Sequence, residues 1–105
     1  MDMLAVFTTV ADQVQADALA LAAVEQRLAA CVQTESIGST YRWQDEVVRE
    51  SEIRLMFKTT RACYPALEAL LRAGHPYDLP AIYALPVVNA SAAYESWVDA
   101  ETQAP

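Results

Sequence analysis

The chain has 105 residues, 54% of them hydrophobic, and carries 14 acidic against 7 basic side chains for a net charge of −7. That length fits one domain over residues 1–105, and the acidic balance excludes nucleic acid as a partner, since a phosphate backbone needs clustered lysine and arginine. No apolar run approaches the roughly 20 residues that span a bilayer, so a membrane is excluded as well.

The opening "MLAVFTT" at residues 3–9 is an apolar run of strand length. Asp2 stands where a signal peptide would carry a basic residue, so a first strand and a cytoplasmic location are expected. Asp12 followed by Gln15 is a variant capping box that starts a helix. Val14, Ala18, Leu21, Val24 and Leu28 recur at three- and four-residue steps and predict its buried face.

Residues 31–60 change period. Tyr41 and Trp43 alternate with Arg42, and Ile53, Leu55 and Phe57 alternate with Arg54, Met56 and Lys58. That is strand spacing, and the polar Gln44–Glu46 predicts a hairpin turn between arms of about 13 residues. Such an arm spans about 43 Å, whereas a domain of this size has a radius of gyration of about 13 Å. The hairpin therefore bends, at Gly38 or at 49–51, or it reaches past its own domain. A protruding arm carrying Tyr41 and Trp43 calls for a second chain to cover it, so an oligomer is expected.

A second helix is predicted from near Ala62, with Pro65 in its first turn, Leu67, Leu70 and Leu71 as its apolar stripe, and Gly74 as a left-handed terminator. "AIYALPVV" is an edge strand, because Pro86 cannot donate to a ladder. A closing helix starts from Asn89 or Ser91 and carries Tyr94, Trp97 and Val98. The order β-α-β-β-α-β plus a helix predicts an α+β fold, a ferredoxin-like βαββαβ sandwich with an antiparallel sheet, a long bent hairpin and a C-terminal helix. The sheet face away from the two crossover helices is expected to be bare unless a neighbour covers it.

"RLAACVQ", "STYRW", "SEIRLMFKTT", "HPYDLP" and "YESW" stand in that order, and together they resemble the CutA family of divalent-cation tolerance proteins, in a match that covers residues 4–99. The resemblance implies a tight homotrimer, similar in architecture to PII signalling proteins, with hairpins that embrace neighbouring subunits and a link to copper and other divalent ions. The family's recurrent positions match Cys31, Tyr41, Trp43, Glu52, Lys58, His75, Pro76, Tyr77, Pro80 and Trp97. Three positions depart: Gln44-Asp45 replaces the usual glutamate-glycine of the turn, and Ala81 replaces a glutamate after the second proline of the histidine block.

His75 is the chain's single histidine, between Gly74 and Pro76. Three readings stay open for it: a metal ligand, a hydrogen-bonded corner, or a general base. As a ligand for copper or another divalent cation it needs partners from elsewhere, and His75, Cys31 and Glu52 are the candidate set. Lys58, Tyr77, Trp43 and Tyr41 are the candidate lining of a ligand cleft. Lys58 and Glu52, six apart on one strand, share a face and allow either an ion pair or a cleft role. Cys31 and Cys63 lack C-x-x-C spacing, and a packed small hydrophobe competes with a ligating thiol at Cys31. With neither a nucleophile motif nor a glycine-rich phosphate loop, the chain is expected to be a non-enzymatic binding protein that requires no cofactor. The rivals are a signalling or scaffold trimer with a protein partner and a small enzyme using His75 as base.

Overall fold

The computed structural model describes residues 2–105. Seven elements follow in chain order: β1 (Met3–Val10), α1 (Gln13–Glu25), β2 (Cys31–Trp43), β3 (Glu46–Thr60), α2 (Tyr64–Gly74), β4 (Ile82–Pro86) and α3 (Ala92–Glu101). The four strands form one sheet in the order β2-β3-β1-β4, with every neighbouring pair antiparallel. This is the βαββαβ arrangement the sequence predicts, closed by a helix.

Strand register divides the sheet into two faces. Leu4, Val6, Thr8 and Val10 on β1 stand opposite Thr59, Phe57, Leu55 and Ile53 on β3, and this face meets Ala16, Leu19 and Ala23 of α1 and Leu67 and Leu71 of α2 to make the core. The other face carries Met56, Lys58, Arg54 and Glu52 of β3. There α3 lies over one end, with Tyr94 beside Lys58. That face is therefore not bare as expected: α3 covers one end of it, while Tyr83 and Leu85 of β4 remain exposed.

The hairpin keeps one register from Cys31↔Lys58 to Trp43↔Glu46. No bulge interrupts it at Gly38 or at 49–51, and the ribbon runs through both in continuous pairing. It reaches out, and the molecule measures 44 × 25 × 20 Å with a radius of gyration of 14.2 Å. β1 pairs with β3 only over 53–60, so the outer half of the ribbon extends past the sheet. Gln44 and Asp45 turn it with φ of 50° and 65°. A two-residue hairpin turn demands these left-handed angles, which suit glycine and strain a side chain. Asp45 thus holds with a carboxylate a conformation that glycine adopts freely.

Three further expectations are revised. Asp12 does cap α1 and accepts from the Gln15 amide at 2.9 Å, but the helix buries Ala16, Leu19 and Ala23, while Val14 is 79% and Leu21 60% exposed. Alanine on every side lets two stripes satisfy the same period, and the small residues win because they let the helix lie close to the sheet. Gly74 is not left-handed, since no glycine has positive φ. The chain leaves α2 through His75 in an extended conformation, the geometry that Pro76 imposes on the residue before it. Close approach leaves little room there instead: a Cβ on Gly74 would lie 3.0 Å from Leu19 Cδ2, which would have to give by a few tenths of an ångström. Finally, α2 begins at Tyr64 rather than near Ala62, and it still holds Pro65 in its first turn. Ser91, not Asn89, caps α3.

Candidate functional site

β3 displays its even-numbered side chains on the face away from α1 and α2, and β2 its odd-numbered ones. At the outer part of the ribbon this face gathers Tyr41, Trp43, Glu50 and Glu52. The 75–80 segment that follows α2 adds His75 and Tyr77. Tyr77 donates its hydroxyl to Glu52 Oε2 at 3.0 Å, and Tyr41 donates to Glu50. Two residues apart on one strand, the two glutamates lie side by side, each holding a tyrosine.

These contacts keep both phenols protonated. The hydrogen bond to Glu50 is the main cause that pushes Tyr41 up to about 12. Burial first, then the Glu52 bond and charge, push Tyr77 up further still. Glu52 itself is only 6% exposed, and among the described residues no lysine, arginine or histidine forms an ion pair with it. A buried carboxylate is normally matched by a cation; Glu52 has a phenol instead.

His75 is a hydrogen-bonded corner. Its Nδ1 accepts from the Tyr77 amide at 3.1 Å, so Nε2 carries the proton and donates it to the Thr9 carbonyl at 2.8 Å. The imidazole also meets the Tyr77 ring edge-on, with centroids 4.8 Å apart. Both ring nitrogens are engaged in tying the end of α2 to β1. Burial lowers the His75 pKa, against weaker opposing pulls from the Thr9 bond and the Glu52 charge. The unfolded chain therefore binds a proton at higher pH than the folded one, and stability falls as pH drops through about 6.5 and levels off below the folded-state value. Protonation also turns Nδ1 into a donor facing the Tyr77 amide. His75→Gln is expected to flatten that slope between about pH 7 and 5, as read from urea midpoints at each pH.

The remaining candidates lie elsewhere. Cys31 pairs with Lys58 across the ladder, six residues or about 20 Å along β3 from Glu52. Lys58 Nζ sits 6.0 Å from the Tyr94 ring centroid and donates to Gln33 Oε1 at 3.4 Å. Within one chain, then, Cys31, His75 and Glu52 are not brought together, and among the described residues no three His, Cys, Asp or Glu side chains converge on a metal position. Tyr41, Glu52, Tyr77 and His75 do meet, while Lys58 and Cys31 form a separate cluster. Trp43 stands at the tip opposite Glu46. Sequence reasoning missed Glu50, although its two-residue spacing from Glu52 puts both on one strand face. It also missed Tyr94, Gln33 and the Thr9 carbonyl, which only the tertiary fold brings into place.

The profile of the family described as "CutA1 divalent ion tolerance protein" matches residues 4–101. The "Divalent-cation tolerance protein CutA" of Thermus thermophilus is 42% identical over 98 residues, covering 92% of this chain and 95% of that protein. Human "Protein CutA" is 38% identical over 100 residues, 94% of this chain but 56% of the human protein, so the chain spans about half of that relative. Among solved structures, CutA from Synechococcus elongatus superposes with a TM-score of 0.94 at 42% identity, covering 97% of this chain and 91% of that one. CutA1 from Oryza sativa gives 0.94 at 31% identity, covering 98% and 95%.

Proposed function

The chain belongs to the CutA1 divalent ion tolerance family, and from that premise we propose that it acts as a homotrimer holding a divalent cation in clefts between subunits, without catalysing a reaction. The observation that carries this reading is the ribbon. Its outer half extends past its own sheet, the far edge of β2 has no strand partner, and Tyr41 and Trp43 are 38% and 42% exposed. Large aromatic side chains on an edge strand are anchors for a neighbouring chain.

Among the described residues neither Glu50 nor Glu52 faces a cation, and this unmatched negative charge supports a cation as the ligand, with Glu50 as its carboxylate. The site is oxygen-rich, with two carboxylates and two phenols, and His75 acts as its positioning corner. Copper is one candidate, and oxygen donors equally accept harder divalent ions. The names of the relatives, tolerance proteins rather than enzymes, point the same way. No described helix is long and apolar enough to cross a membrane, and both cysteines are free thiols. A cytoplasmic location is part of the same proposal, and two unbridged cysteines suit a reducing compartment.

Two measurements test the reading. Sedimentation at micromolar concentration should give three chains per particle; a folded single chain removes the clefts. Titration calorimetry with Cu²⁺, Zn²⁺ and Mn²⁺ should show saturable binding that Glu50→Gln weakens about tenfold or more. Binding unaffected by that change removes the carboxylate role.

A further inference from the structure

The chain contains one lysine, Lys58. It lies on the same sheet face as Glu52, and the charges of that face do not balance within a single copy. Arg54, the other cation there, is taken by Glu35 at 2.8 Å. Arg61 pairs with Asp2 and Arg72 with Glu68, Arg27 donates to the Ala100 and Glu101 carbonyls at the end of α3, and strand alternation puts Arg42 and Arg49 on the opposite face of the ribbon. Among the described residues, that leaves Lys58 as the one cation of this face without a carboxylate. Glu52 is its one buried carboxylate without a cation.

About 20 Å of strand separates the two, so no side-chain motion joins them within a chain. A cleft that holds both must be made by two copies. Resting on the trimeric reading above, we propose that Lys58 of one copy reaches Glu52 of the next and completes the cleft with an ion pair between subunits. The geometry suits it. Lys58 has a long flexible stem and is held only by a long bond to Gln33 and by the Tyr94 ring. Tyr77 occupies one Glu52 oxygen, and among the described residues no hydrogen bond occupies the other. The pair is directional, one end from each copy, so it builds a ring of three as readily as a dimer. With Glu52 neutralised, Glu50 remains as the carboxylate facing a hydrated cation.

Carbodiimide joins a lysine to a carboxylate in contact with it without adding a spacer, and the single lysine makes the outcome specific. Treated wild-type protein should give linked dimers and trimers on a denaturing gel, and peptide mapping should find the Lys58–Glu52 bond. Lys58→Arg should keep the assembly and lose that linkage. Lys58→Glu should raise the concentration at which the particle dissociates by about tenfold or more, and Lys58→Glu with Glu52→Lys should restore it. Linkage of Lys58 to another carboxylate, or no linkage in a protein that sediments as three chains, overturns the pairing and leaves the trimer standing. Sedimentation as a single chain overturns both.

Discussion

Trp43→Ala is expected to split the assembly while leaving the protomer folded. Trp43 sits at the ribbon tip beside the Gln44–Asp45 turn, opposite Glu46, in the segment that no other strand of its own chain supports. It is outside the buried cluster formed by β1, β3, α1 and α2, so its removal takes nothing from that core. At an interface, loss of a central tryptophan costs about 2 kcal/mol or more per contact, about thirtyfold in a dissociation constant. In a closed trimer three contacts are lost at once. Sedimentation should therefore show single chains at concentrations where the wild type is wholly assembled, with an unchanged far-ultraviolet circular dichroism spectrum. If the variant sediments as the wild type does, the tip is not an anchor and the ribbon's reach has another purpose.

How much of this was legible in the sequence depends on where the deciding interactions lie. The ribbon was legible almost in full, because strand alternation and the Gln44–Glu46 turn are local. Its length, set against the size of a 105-residue domain, left a bend or an overreach, and the pairing of β1 with β3 over 53–60 alone shows the overreach. Gly38 holds no bulge, although glycine in a strand often marks one; no atom lies within 4 Å of a Cβ built there, and pairing continues through it. Gly74 was correctly singled out for the wrong reason. A nonlocal neighbour, Leu19, crowds the place a side chain would take, and Pro76, next but one, sets how α2 ends.

The site was legible in its members and not in their grouping. Tyr41, Glu52, Tyr77 and His75 were all named from the chain, and the fold gathers them. Cys31 and Lys58 were named with them, yet β2–β3 register carries both to the far end of the ribbon. The donor roles of His75 were equally out of reach. Which nitrogen holds the proton depends on the Thr9 carbonyl, 66 residues away, and on an amide two residues ahead. Periodicity assigns a residue to a face, whereas partners across a sheet are fixed by topology.

The strongest test of the core lies on α1, where two stripes of the same helix make opposite claims. Leu19 is 6% exposed, belongs to the buried cluster, and packs against the glycine that ends α2. Leu19→Ala should cost about 2–4 kcal/mol, because the neighbouring helix cannot fully collapse onto the vacated volume. Leu21, two residues on, is 60% exposed, and Leu21→Ala should change stability by no more than about 0.5 kcal/mol. Urea unfolding of both variants, at one protein concentration so that assembly contributes equally, measures the difference directly. Equal losses mean that the outer stripe of α1 is covered by a neighbouring chain, adding a second surface to the trimer contact. A loss at Leu21 alone reverses the helix and returns Val14, Leu21 and Val24 to the core that sequence periodicity predicts for them.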